Sequence, residues 1–164
     1  MERTKLKLTV IVLLAILNLC LLGVTLFQHH QASSYEKLAR TQALAYLENH
    51  GVTAKERDIP WESSLTTERE ELEDQILDPA QIPTGGLAMT CEIHAGRQPE
   101  TLLVDFTNGL KDLQTTCTQI NTVTEGYAYT SEGDRGILTP VWRVETDQGI
   151  FLLDCASGSL SYET

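Results

Sequence analysis

The sequence predicts an α+β protein: an N-terminal transmembrane helix running into an amphipathic helix, then a small antiparallel-sheet domain outside the membrane. Three observations predict it. Residues 8–27, LTVIVLLAILNLCLLGVTLF, carry no charge. Tyr35, Leu38, Ala39, Ala43, Tyr46 and Leu47 recur at helical spacing. Beyond Gly85-Gly86 the chain becomes a series of short runs rich in Thr, Val and Ile, punctuated by Gly, Asn and Asp.

The first run comprises twenty residues. A helix of that length spans about 30 Å, the thickness of a bilayer core. Arg3, Lys5 and Lys7 stand against Glu2 before it, while 9 basic and 22 acidic residues follow it. That asymmetry puts residues 1–7 in the cytoplasm and everything after the span outside the cell membrane, in a single pass. A cleaved signal peptide is the rival reading. Its apolar region usually runs ~7–15 residues and ends in an Ala-x-Ala pattern. Here QHHQASS follows instead, and bulky Leu19 precedes Cys20, where a lipoprotein cysteine has a small residue. The expectation is an uncleaved anchor. The net charge of −11 argues against nucleic acid as a partner, because phosphate contacts need clustered Lys and Arg.

Residues 28–51 are expected to form the juxtamembrane and amphipathic helix. Ser33-Ser34-Tyr35-Glu36 fits a capping box, and Gly51 supplies the stop. Only QHHQA, without Gly or Pro, separates this helix from the span. Residues 52–164 make the outer α+β domain. A short strand is expected over 52–57 and an acidic, solvated helix over 66–77. Strands follow over 87–94, 101–106 and 115–124, with Asn108-Gly109 as a tight turn and 131–136 as a loop.

The domain closes on residues 140–160, PVWRVETDQGIFLLDCASGSL. These read as a hairpin with strands 141–146 and 150–155. Asp147-Gln148-Gly149 joins them, with Gly149 left-handed, and Ser157-Gly158 ends the second strand. On that register Trp142, Val144, Ile150 and Leu152 share one face, with Trp142 in the core. Arg143, Glu145, Phe151 and Leu153 take the other. Asp147 and Asp154 are turn and strand-end residues that hydrogen-bond backbone amides.

Chemistry-bearing patterns are few. His29 and His30 are read as interfacial and solvated. Cys91-Glu92-Ile93-His94 has metal-like spacing, but residues three apart in a strand point to opposite faces, and no second Cys/His pair completes a site. Cys91, Cys117 and Cys155 lie outside the span. Cys91 and Cys117 could bridge from neighbouring strands, or all three could be buried small hydrophobes. No Gly-x-Ser-x-Gly, His-Glu-x-x-His or phosphate-binding Gly loop occurs. Neither an enzyme nor a cofactor is expected. Within the span, Asn18 is the most polar side chain, and Cys20 and Gly23 are small enough to admit a second helix. These three are the candidates for contact with a partner helix.

Two stretches resemble known families. Pro140-Val141-Trp142-Arg143-Val144, then Gly149-Ile150-Phe151-Leu152-Leu153-Asp154 and Ser157-Gly158-Ser159-Leu160, look like the closing hairpin of PepSY-type domains. Cys155 departs from that pattern, where a small Ala-like residue is usual. Lys7 ahead of a span containing Ile16-Leu17-Asn18-Leu19 resembles the YycI and YycH regulators of Gram-positive bacteria. The likeness covers the anchor and roughly the last quarter of the chain, which is short for a full YycI protein. It implies a membrane-anchored, extracytoplasmic regulator that binds the WalK sensor histidine kinase, with no catalytic residues. The alternatives are an anchored or secreted PepSY-type inhibitor or ligand-binding module and, less favoured, a pilin-like subunit. The pilin processing motif and the Glu near the start of its span are missing here.

Overall fold

Helical hydrogen bonding runs through Glu2–Asn49 (α1), 48 residues, in a computed structural model that describes residues 2–87 and 90–163. The side chains of residues 2–6, 8–9, 27–34 and 69–70 lie outside the described residues. The helix carries on through Ser33, so the capping box expected there does not start it, and with no Gly or Pro in QHHQA the two expected helices are continuous. The side chains of Ser33 and Ser34, like those of His29 and His30, fall outside the described residues. Within α1 the chain divides into two compact units, residues 1–39 and residues 40–164.

In the first unit, aliphatic side chains from Val10 to Leu26 are exposed on every side of the helix. Asn18 donates its amide N–H back to the Leu14 carbonyl at 2.8 Å, and the Thr25 hydroxyl reaches the Leu22 carbonyl at 2.9 Å. Both of these polar groups thus satisfy themselves on the helix's own backbone. Among the described residues no helix is long and apolar enough to cross a membrane. Leu8, Thr9 and Phe27, at the ends of the expected span, have side chains outside them.

In the second unit, α1 ends where Gly51 takes φ +80°. Val52 N–H then bonds Leu47 C=O at 3.0 Å and Gly51 N–H bonds Glu48 C=O at 2.9 Å. These two bonds and the buried Leu47 and Val52 make a Schellman stop. The strand expected over 52–57 shrinks to one bridge between Thr53 and Gln119, followed by a 3₁₀ turn, Glu56–Asp58. The helix expected over 66–77 shrinks to Arg69–Leu72 (α2). Backbone pairing wins there: Tyr127 N–H donates to Gln75 C=O at 2.8 Å, and Leu77 N–H donates to Tyr127 C=O at 3.0 Å.

The strand expected over 101–106 is a helix, Pro99–Asp112 (α3). Pro99 opens it, where a missing N–H costs nothing. Leu102, Leu103, Phe106 and Leu110 form its buried face. Asn108-Gly109 is therefore no turn. Gly109 is buried in the helix because a Cβ there would collide with Leu160. The helix stops on Gln114 at φ 53°, a left-handed position held by Thr115 N–H to Leu110 C=O at 2.9 Å.

Among the described residues five strands form one sheet: Cys91–Ile93 (β1), Ile120–Glu132 (β2), Arg135–Thr146 (β3), Gly149–Asp154 (β4) and Leu160–Tyr162 (β5). The expected strand 87–94 is described only as β1, with Ala88 and Met89 outside the described residues. The expected loop 131–136 is the tip of a long β2–β3 hairpin, in which Glu132 pairs with Arg135. β3 is the spine. β2 pairs antiparallel along one side, while β1 and β4 share the other side end to end. The sheet is mixed rather than purely antiparallel, since β1 runs parallel to β3. Pro140 sits at the seam between β1 and β4. Its carbonyl accepts from Cys155 N–H at 2.8 Å, and its ring nitrogen faces the same side, where no ladder bond is lost.

The β3–β4 register corrects the expected faces. Thr146 pairs with Gly149, so the loop has two residues, Asp147 and Gln148, and Gly149 (φ 137°) belongs to the strand. A one-residue change flips every side chain of one strand. Trp142 pairs with Leu153 and Val144 with Phe151, and all four are buried together. Ile150 and Leu152 lie with Arg143 and Glu145 on the opposite face.

Two apolar clusters form on the face of Trp142. One joins Ala43 and Leu47 of α1, the α3 face, Trp142, Val144, Phe151 and Leu153. The other joins Leu72, Ile76, Leu87, Tyr127, Tyr129 and Leu138.

Candidate functional site

Between those two clusters lies an open cleft of about 680 Å³. Its floor is sheet: Glu125 and Tyr127 of β2, Pro140 and Trp142 of β3, and Cys155 after β4. One wall is the loop over residues 60–67 and the other is the loop over residues 93–99.

Each wall is tied down by specific bonds. Trp61 donates its indole N–H to the Glu56 carbonyl at 2.8 Å, and the Arg40 guanidinium lies over its ring at 5.5 Å. Ser64 donates both its backbone N–H (2.8 Å) and its hydroxyl (3.4 Å) to Oε2 of Glu125. On the other side Arg97 is a clamp. It reaches Asp105 at 2.8 Å and the carbonyls of Ala156 and Ser157 at 3.1 and 2.7 Å. Gly158 (φ +80°) is where that clamp passes, and a Cβ there would meet the Asp105 carboxylate and the Arg97 guanidinium. The turn beside it is capped by Asp154, which accepts from Ala156 N–H at 2.7 Å and Ser157 N–H at 2.9 Å.

Burial pushes the Cys155 thiol up to about 12, with Glu125 and Asp154 adding to the effect. Burial also raises the Tyr127 hydroxyl, again with help from Glu125. Both groups stay protonated at neutral pH, so the cleft floor offers neither thiolate nor phenolate as a nucleophile. Its arrangement suits binding: an aromatic floor that carries the Glu125 carboxylate, and walls of loop, one of them with Glu62.

The residues singled out from sequence scatter. Trp142 (2% exposed) and Val144 are core. Gly149 and Gly158 serve the hairpin and the clamp. Asn18, Cys20 and Gly23 are exposed on α1. Asn18 and Cys20 are two apart and do not share a face, whereas Cys20 and Gly23 do. Cys91 and Cys117 are free thiols in different apolar clusters. The possible bridge between them is not formed, because the strand beside β1 is β3 rather than the one after Cys117. His94 lies 3.6 Å from Glu92, and no metal-binding group of three His, Cys, Asp or Glu occurs among the described residues.

Sequence reasoning missed Trp61, Ser64, Arg97 and Glu125. One signal was available for Glu125. Val123, Glu125, Tyr127 and Tyr129 alternate along one face of β2, and a carboxylate in an inward series is out of place. No family model, no curated protein and no solved structure matches this chain.

Proposed function

We propose that this chain is a membrane-anchored, non-catalytic regulator whose outer domain binds a membrane partner, with a two-component sensor histidine kinase as the first candidate. The carrying observation is the uncovered apolar surface of α1. Val10, Ile11, Val12, Leu13, Leu14, Ile16, Leu17, Leu19, Leu21, Leu22, Val24 and Leu26 are each 50–68% exposed. Covering one such side chain is worth about 1.5–3 kcal/mol, so the set is worth tens of kcal/mol. A helix apolar on all sides needs an apolar solvent. Lipid supplies it, and the basic residues ahead of the run orient it. The kinase partner rests on the likeness of residues 7–19 to the YycI and YycH regulators.

A second reading, an anchored PepSY-type ligand-binding module, is favoured by the open cleft over β2 and β3. One experiment tests the leading reading. The full chain, tagged at its C-terminus, is extracted from native membranes in mild detergent and its co-purifying proteins are identified. A sensor kinase should be recovered, and its autophosphorylation in proteoliposomes should change when the chain is added. Recovery from membranes with no kinase leaves the second reading in its place.

A further inference from the structure

We infer that the cleft takes a basic side chain, Lys or Arg, from an extended segment of a protein partner, with Glu125 as its counter-ion. This deepens the proposed function and rests on it for the existence of a protein partner.

Glu125 is half-buried on the cleft floor, paired across the sheet with Trp142. Its Oε2 accepts both Ser64 donors. Its Oε1 has no protein donor among the described residues. The other charges of the cleft are already engaged. Arg97 is held by Asp105 and two carbonyls, and His94 faces Glu92. Glu62 is 89% exposed and lies 3.8 Å from Arg40. The cleft therefore presents a carboxylate without a cation in a partly desolvated, aromatic setting, where a charge-assisted bond is at its strongest. The acidic excess beyond residue 27, 22 against 9, draws a cationic segment toward this domain. Chain rather than a small amine is the better occupant, because the cleft is an open trough between two loops and would leave a small ligand largely wet.

The test uses the full chain, isotopically labelled, in detergent micelles. Blocked tripeptides Ala-Arg-Ala, Ala-Lys-Ala and Ala-Gln-Ala are titrated while amide and indole N–H signals are followed by NMR. The two basic peptides should saturably shift the Trp61 indole and the Ser64 and Arg97 amides, and the neutral one should not. Glu125→Gln keeps an acceptor for Ser64 and should weaken the basic peptides at least about tenfold. Equal shifts from all three peptides on the wild type would overturn the inference, as would unchanged binding to the variant. So would shifts confined to the acidic segment 68–74. Tripeptide binding without kinase recovery would remove the partner and keep the cleft. Kinase recovery without any tripeptide shift would do the reverse.

Discussion

The two halves of α1 use the same residue types and treat them in opposite ways. Between Val10 and Leu26 the aliphatic side chains are at least half exposed, whereas Leu47 near the helix end is 0% exposed. Spacing makes the difference. Ala43 and Leu47 lie one turn apart and are flanked by Thr41, Gln42, Glu48 and Asn49, so the helix has a side for the core and a side for water. Residues 8–27 leave no polar side, and a helix apolar on every face needs either the core of a large protein or lipid around it. The comparison teaches that apolar content alone does not build a core; a polar complement on the same element is what lets it fold against its neighbours in water.

Four substitutions break or sharpen that contrast. The largest effect is expected in the second unit. Trp142→Ala empties the centre of its main cluster and should cost about 3–5 kcal/mol, enough to unfold a marginal domain. Chemical denaturation followed by near-ultraviolet circular dichroism reads it, and a near-wild-type midpoint would place the ring outside the core. Leu17→Lys, at the centre of the proposed span, should do the opposite: the denaturation midpoint stays put, while membrane retention falls because a charge there costs about 2.5–3.5 kcal/mol. Cell fractionation measures it.

Gly109→Ala comes next. Helix propensity alone would favour Ala by about 1 kcal/mol, but the new methyl meets Leu160, and overpacking costs about 1–3 kcal/mol. A net loss is expected; a gain would mean that β5 yields to α3. The smallest effect concerns Asp147, which accepts from Thr118 N–H at 2.9 Å, Gln119 N–H at 3.1 Å and the Thr118 hydroxyl at 2.8 Å. Those bonds hold its carboxyl down at about 2. A depressed carboxyl stabilises the fold above the ordinary aspartate range near pH 4, and that contribution drains away as pH falls toward 2. The melting difference between wild type and Asp147→Asn should therefore shrink across that window. A difference independent of pH would show that the bonds do not need the charge.

How much of this was legible in the sequence follows from which forces are local. The closing hairpin was readable because Trp142, Val144, Phe151 and Leu153 alternate on strands joined by a Gly-containing turn. Its faces were not, since the loop length had to be known to one residue and Thr146 could pair with either neighbour. Helix α3 was misread because Gly109 carries a turn signal locally and a packing role globally: the residue it makes room for, Leu160, lies far along the chain. The left-handed Gln114 that ends α3 gave no glycine to read. The parallel pairing of β1 was hidden for a similar reason, as its partner β3 arrives only after α3 and β2. The cleft was almost invisible. Its walls come from two loops far apart in sequence, and only the inward parity of Glu125 hinted at it.

Whether the two units live in different solvents is read by alkaline carbonate extraction of native membranes, followed by protease treatment of intact cells and mass analysis of what remains. The chain should stay in the washed membrane with residues 8–27 still attached, and protease from outside should remove the domain over residues 40–164 while sparing residues 8–27. Release into the carbonate wash, or a mature chain lacking residues 8–27, would contradict it.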